Sequence, residues 1–263
     1  MKLFRNRRSW AWPYILFLVL LVLLPLALIG VYAFTDQAGH FTLQNFVQFF
    51  SKSEAVNTFI YSIAVALVTT IVCLLLGYPA AYIMALRSFR TPAVMALLFI
   101  LPMWINFLLR TIATVELFHM FNLPLGEGAL LFGMVYDFLP FMIYPIYNTL
   151  QKMDVSLLEA AMDLGANRVQ TFTKVVLPLS ASGIYSGIVM VFMPTVSTFA
   201  ISELLTHNKI TLFGSLIQRS FGEGGIMMWN YGAALSLIML VIIGATSFFG
   251  QNDNDDSQKG GLL

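Results

Sequence analysis

The sequence is poor in charged residues and in the side chains that hold metal ions. Asp, Glu, Lys and Arg make up 10% of its 263 residues, against roughly 25% in a typical soluble domain. One cysteine, Cys73, excludes an internal disulfide framework and a cysteine-rich metal site, and three scattered histidines do not have the usual sequence spacing of a local ligand cluster. A net charge of +1 provides no basic surface for nucleic acid. These shortages exclude most classes of soluble enzyme.

Hydrophobic residues are abundant instead, at 59% of the chain. They form long runs without a charged residue, and a helix needs about 20 apolar residues to cross a membrane core of roughly 30 Å. We therefore predict an all-α polytopic membrane bundle. Six transmembrane helices are expected at about 13–34, 56–86, 91–118, 129–150, 182–204 and 231–250. The first run is longer than the 7–15 residues of a signal-peptide core, which favours an uncleaved span.

Basic residues in short loops indicate the orientation, because they are retained on the cytoplasmic side. With both termini cytoplasmic, ten basic residues lie inside: Lys2, Arg5, Arg7, Arg8, Arg87, Arg90, Lys152, Arg168, Lys174 and Lys259. Three lie outside: Lys52, Lys209 and Arg219. The chain then divides into a cytoplasmic N-terminal segment (1–12), a transmembrane domain (13–250) with a cytoplasmic loop (151–179), and a polar tail (251–263) that we expect to be disordered.

The loop at 151–179 has the pattern of two short helices. Ser156 and Glu159 have the spacing of a capping box, which starts a helix over 157–164. Gly165 suits the left-handed position that ends it. A second helix is expected from about 167 to 176, before Pro178. The first helix has an apolar stripe formed by Leu157, Ala160, Ala161 and Leu164. Such a helix could rest on the lipid surface or bind a partner.

The same loop carries a resemblance to a transporter family. Glu159-Ala160-Ala161, then Gly165, then Val175, Leu177 and Pro178 follow the spacing of the EAA loop in permease subunits of binding-protein-dependent ABC importers. Val175 replaces the family's isoleucine. The wider chain resembles the B-type permease of the spermidine/putrescine group. The supporting segments are Leu76–Pro79, Leu101–Asn106, Leu139–Met142 and Leu158–Gly165.

This resemblance implies a type I ABC importer permease in the bacterial cytoplasmic membrane. Its partners would be a homologous second permease, two ATPase subunits, a substrate-binding protein outside the cell, and the lipid bilayer. The chain lacks the G-x-x-x-x-G-K-[ST] phosphate loop, so ATP and Mg would bind the ATPase subunits and this chain would be neither an enzyme nor a cofactor protein. The resemblance assigns ATPase coupling to Glu159, Ala160, Ala161, Asp163, Leu164, Gly165, Leu177 and Pro178.

The solute is expected to be a polyamine, because that group gives the best overall resemblance. Permeases for thiamine, ferric iron or sulfate share the same loop and stay as alternatives. A self-sufficient secondary transporter or channel is a further alternative. The absence of a clear internal repeat speaks against it.

Two charges fall deep inside the predicted spans, away from their ends, and each needs a reason because a mid-membrane charge costs at least about 2.5–3.5 kcal/mol. Arg110 and Asp137 lie at similar depth on neighbouring antiparallel helices, so we predict an ion pair between them. It either holds the two helices together or takes part in transport.

A polyamine path also needs carboxylates and aromatic faces. The predicted path residues are Glu203, Glu116, Asp137, Trp104 and Tyr136.

Overall fold

The structure is a computed structural model that describes residues 12–85, 99, 101–222 and 228–259. Within this part of the chain the secondary structure is helical, apart from one isolated antiparallel bridge between Thr35 and Phe41. The predicted all-α class is therefore confirmed. Of the basic residues used to predict the orientation, those at 2, 5, 7, 8, 87 and 90 lie outside the described residues.

The helices follow one another closely along the chain. The first ones are α1 (Trp12–Leu18), a π-helical turn (Val19–Leu23), α2 (Leu24–Ala33), α3 (Gln44–Ser51), α4 (Ser53–Ala85), α5 (Phe107–Met120) and α6 (Glu127–Gln151). The loop after α6 contains α7 (Val155–Asp163), α8 (Arg168–Thr171), a second π-helical turn (Phe172–Val176) and α9 (Leu177–Leu179). The last ones are α10 (Ala181–Ser197), α11 (Ala200–Thr206), α12 (Phe213–Gly222) and α13 (Trp229–Lys259).

Four helical stretches of the described chain are long and apolar enough to cross a membrane: Trp12–Ala33, Ser53–Ala85, Glu127–Gln151 and Trp229–Thr246. A fifth span results if Arg168–Leu179 and Ala181–Ser197, bent by 61°, count as one. These five match five of the six predicted spans. The remaining one, at 91–118, lies partly outside the described residues.

Three predicted spans differ from the structure at their ends or interiors. The third does not run unbroken to 118, because Asn106 caps a new helix by accepting a hydrogen bond from the Leu108 N–H. The fifth stops at Ser197, since Thr198 is extended (φ −67°, ψ 147°), and resumes at Ala200. The sixth continues as helical backbone to Lys259, where we expected a disordered tail from residue 251. Adding a residue to an existing helix costs less free energy than nucleating a new one, which favours continuation of the sixth helix into the tail.

The chain forms two compact units. The first comprises residues 1–57 and 216–242. In it Ala33 packs against Ala233 and Ala234. The Asn45 side-chain amide donates to the Ala33 carbonyl at 2.9 Å, and the Asn230 amide donates to the Thr35 carbonyl at 2.8 Å. These bonds satisfy the carbonyls that the end of α2 leaves without helical partners.

The second unit comprises residues 58–215 and 243–263 and contains the loop at 151–179. Its core joins α4, α6 and α10. On α10 the two glycines of Gly183-Ile-Tyr-Ser-Gly187 lie against α6. A Cβ at Gly183 would come within 2.9 Å of the Pro145 carbonyl oxygen, and one at Gly187 within 3.2 Å of the Met142 carbonyl oxygen. This spacing therefore provides close helix packing.

Candidate functional site

Helix α7 begins at a different residue from the one predicted. Its N-cap is Asp154, whose carboxylate accepts a hydrogen bond from the Ser156 N–H at 3.0 Å. Ser156 lies inside the helix, so the predicted capping box of Ser156 and Glu159 is wrong. Aspartate is as good a cap as serine, and it precedes the helix by one residue. The hydrogen bond from the Ser156 backbone lowers the pKa of the Asp154 carboxyl.

The end of α7 matches the prediction. Gly165 has φ +87°, a left-handed conformation that favours glycine. Its N–H donates to the Met162 carbonyl at 2.9 Å, and the Ala166 N–H donates to the Ala161 carbonyl at 3.0 Å. These two bonds form a Schellman motif, which satisfies the last carbonyls of the helix. Gly165 therefore fixes the point where the chain leaves α7.

The exposed face of α7 carries three of the four residues of the predicted apolar stripe. Leu158 and Ala161 are half-buried, and Leu158 packs against the core of the second unit. Leu157 and Leu164 point to the surface instead, and Leu164 is 89% exposed. Three further predicted coupling residues are exposed beside them: Glu159, Ala160 and Asp163. Helix α7 thus packs the row through Leu158 and Ala161 on the bundle and leaves Leu157, Ala160 and Leu164 of the predicted stripe exposed.

The segment after α7 connects it to the fifth span. Asn167 and Gln170 form a capping box, with reciprocal bonds of 2.9 Å. The sequence shows this signature, and we had not predicted it. The helix then passes Pro178 and ends at Leu179, beyond the predicted end at 176. The π-helical turn at Phe172–Val176 ends two residues before Pro178, and in it the Leu177 N–H donates to the Phe172 carbonyl, five residues back.

The bend between this segment and α10 has a buried polar contact. Ser180 Oγ and Tyr78 OH form a hydrogen bond of 2.9 Å, and both residues are buried. The Phe172 ring also meets the rings of Tyr78 and Tyr82 edge-on, at centroid distances of 5.8 Å and 5.3 Å. The loop at 151–179 is thus held to the end of α4.

Arg110 and Asp137 meet inside the bundle. Arg110 Nε lies 3.2 Å from Asp137 Oδ1, and the two side chains are 6% and 1% exposed. The Thr111 hydroxyl donates to Asp137 Oδ2 at 3.0 Å, and Arg110 Nη2 donates to the Asp137 backbone carbonyl at 3.3 Å. The Tyr136 ring lies 5.8 Å from Arg110 Cζ. The structure therefore forms the ion pair that the matching depths suggested.

A cavity of about 640 Å³ opens beside this pair. The break between α10 and α11 lines one side of it, with Thr198 and Phe199. Trp104 and Phe141 add aromatic surface, and Trp104 is 78% exposed. Of the described residues in the lining, Arg110 alone is charged. The break supplies backbone polar groups at membrane depth, which proteins tolerate where the chain lines a cavity.

The cavity contains only part of the predicted solute path. Trp104 lines it, whereas the other four predicted residues are absent from its described lining. Asp137 is buried behind Arg110, and Tyr136 is half exposed and stacks on Phe132. Glu203 is half-buried on α11, and Glu116 is exposed on α5. The roles of these residues in transport stay predictions. Sequence reasoning missed Phe199 and Thr198 because their position depends on the helix break.

Comparisons with known proteins identify the family. Residues 77–254 match the family described as "Binding-protein-dependent transport system inner membrane component". The chain is 34% identical over 250 residues to the "Spermidine/putrescine transport system permease protein PotB" of Escherichia coli (strain K12), covering 86% of this chain and 90% of that protein. The protein of that name from Haemophilus influenzae is 31% identical, with 94% of each chain covered.

Solved structures show the same fold. A chain from a bacterial ABC transporter that imports the acidic polysaccharide alginate aligns with a TM-score of 0.65, at 16% identity and covering 94% of this chain and 96% of that one. A chain of the inward-facing MetNI methionine ABC transporter aligns with a TM-score of 0.59, at 17% identity and covering 75% of this chain and 93% of that one. The chain thus belongs to the inner membrane components of binding-protein-dependent transport systems, as a multi-pass protein with the type I ABC importer permease fold.

Proposed function

We propose that this chain is one permease subunit of an ABC importer that carries polyamines such as spermidine and putrescine into the cell. The subunit works with a second, homologous permease, two ATPase subunits that bind ATP and Mg, and an external substrate-binding protein. Both of its termini face the cytoplasm. The chain itself moves solute and performs no chemistry.

The observation that carries this proposal is the geometry of the loop at 151–179. Helix α7 is capped at both ends, and its inner row packs on the bundle. Its outer face exposes Leu157 and Leu164 next to Glu159 and Asp163. A rigid, capped helix with an exposed apolar row and charged neighbours is suited to a groove on another protein. Glu159 meets polar groups there, and Ala160 permits close approach. Gly165, with Leu177 and Pro178 beyond it, directs the chain back to the fifth span.

The polyamine assignment is supported by the two relatives described above. Both are named spermidine/putrescine permeases, and the alignments cover 90% and 94% of their lengths. The cavity beside Arg110 then forms part of the solute path, with Trp104 and Phe141 as aromatic faces for ammonium groups. Its described lining has no carboxylate. We therefore assign charge recognition on this chain to Glu203, on the helix that continues from the break, with Glu116 as the alternative. The remaining carboxylates come from the second permease.

A pair of proline substitutions tests the coupling role. Gly165→Pro should abolish ATP-driven uptake by the complete importer, because proline cannot adopt φ +87° and has no N–H to donate. The matched control is Gly39→Pro. Gly39 has φ +83°, donates a backbone bond of 3.1 Å to Asp36, and has open space around it as Gly165 does. Equal loss in both variants, or normal uptake by the Gly165 variant, would contradict a coupling role for α7.

A charge-neutral substitution tests the solute path. Glu203→Gln keeps the shape and removes the charge, so it should raise the apparent KM for spermidine while basal ATPase activity and subunit assembly persist. Glu127→Gln is the control, because Glu127 accepts a hydrogen bond from Tyr61 at 3.0 Å and serves the start of α6. Unchanged uptake kinetics in the Glu203 variant would move the assignment to Glu116 or to the second permease. Competition with unlabelled thiamine, sulfate or ferric iron tests the alternative solutes.

A further inference from the structure

Two histidines meet at the end of the second unit that lies opposite the loop at 151–179. His119 is in the last turn of α5, and His207 follows α11 in a left-handed conformation with φ 51°. Their ring centroids are 6.2 Å apart, with an angle of 62° between the planes. Both residues are exposed. Neither imidazole has a hydrogen bond or ion pair with any residue that the structure describes.

This separation is within about 1 Å of that of two imidazoles bound to one tetrahedral metal ion. With Zn–N distances of about 2.0–2.1 Å and tetrahedral angles, two coordinated rings place their centroids about 5 Å apart, so rotation of the two exposed side chains would have to close about 1 Å. Imidazole is the commonest metal ligand in proteins, and its ring nitrogens must be free to bind. Both conditions hold for His119 and His207. In the described part of the chain, no third His, Cys, Asp or Glu completes a larger cluster there.

We propose that His119 and His207 form a site for a zinc-type transition metal ion, with water completing the coordination. The ion links the end of α5 to the end of α11. These two helices belong to different spans, so a bound ion fixes the distance between them. Glu203, which we assign to the solute path, lies one helical turn before His207. An ion at this site therefore acts as an external clamp on transport.

Zinc binding to the purified full-length chain in lipid nanodiscs tests the site directly. Isothermal titration calorimetry with Zn²⁺ should show one ion per chain, and His119→Gln or His207→Gln should each weaken binding at least tenfold. His40→Gln is the matched control. His40 is also exposed, and its partner is Asp36 at 3.6 Å rather than a second histidine. Equal Zn²⁺ affinity in the wild-type chain and in both site variants would overturn the proposal.

The clamp is tested in the complete importer. Zn²⁺ added outside proteoliposomes should slow polyamine uptake severalfold, and His119→Gln should relieve that inhibition while His40→Gln does not. Uptake that Zn²⁺ leaves unchanged would overturn the clamp. An importer that moves no polyamine even without zinc would instead contradict the proposed function, and the calorimetry would still decide whether the metal site exists.

Discussion

The buried pair of Arg110 and Asp137 gives the sharpest stability prediction. Asp137→Asn changes one oxygen to nitrogen and keeps the acceptor for the Thr111 hydroxyl, which donates at 3.0 Å. The substitution therefore removes the charge and little else. Arg110, at 6% exposure, is left without its counter-ion inside the bundle. Its Nη1 already has no hydrogen-bond partner among the described residues, and Nη2 keeps its bond to the neutral backbone carbonyl of residue 137.

The expected cost is large, because a buried charge that loses its partner destabilises a protein by about 3–5 kcal/mol. Removing both charges should cost far less. In the double variant Arg110→Met with Asp137→Leu, both desolvation penalties disappear, and such replacements range from neutral to about 1–4 kcal/mol stabilising. The single variant should therefore be much less stable than the double variant. This order is opposite to the one expected if the two effects simply added.

Thermal unfolding in detergent, followed by intrinsic fluorescence, measures this order. Glu127→Gln is the control for removing a carboxylate from the same helix, since its partner Tyr61 is neutral. An Asp137→Asn variant as stable as the wild type would refute the reasoning about the pair. Uptake by the stable double variant then separates the two roles. Retained transport indicates a pair that only holds α5 to α6, and lost transport indicates a direct part in moving solute.

Three further substitutions test the loop and its packing. The Asp154 carboxyl has a lowered pKa, so the amides at the start of α7 should be protected from hydrogen exchange at pH values above about 4, the usual pKa of an aspartate. This protection should disappear as pH falls through the lowered value, and Asp154→Asn should abolish the pH dependence of hydrogen exchange there. Gly187→Ala should cost about 1–3 kcal/mol by thermal unfolding, because Met142 is too close, whereas Gly244→Ala, in open space, should not. Tyr78→Phe should cost about 0.5–1.5 kcal/mol in the same assay, because it removes one buried hydrogen bond while Ser180 Oγ still donates to the Leu177 carbonyl.

Much of the fold was predictable because membrane spans are recognised by length and charge alone. A run of about 20 apolar residues has few alternatives in a bilayer, and five of the predicted spans correspond to helices or helix pairs of the structure. The pairing of Arg110 with Asp137 followed from the same logic, since matched depth on neighbouring helices leaves few other partners. Gly165 was predictable because glycine is the residue that suits a left-handed helix end.

The features that sequence reasoning missed depend on contacts between helices. Ser156 has the spacing of a cap, but Asp154 takes that position, and both patterns are plausible from the sequence. The break at Thr198 follows no glycine or proline directly; Pro194 lies four residues earlier, inside α10. At the break, Gly214 lies so close to the Ser197 and Thr198 carbonyls that a Cβ atom on Gly214 would be 2.4 Å and 2.6 Å from their oxygens. The broken backbone is thus accommodated by a residue that is distant in the sequence.

The packing between the loop and the cavity explains how motion at one could reach the other. Helix α7 is fixed to the bundle through Leu158, and the bend at Ser180 is fixed to α4 by its hydrogen bond with Tyr78. From there α10 runs against α6 at the contact distance that Gly183 and Gly187 permit. Close-packed helices shift as bodies because their interiors have little free volume. These contacts form a continuous packed route from α7 along α10 to its end at Ser197, where the backbone breaks and the cavity begins; whether motion follows this route is the question that the Gly165→Pro variant tests.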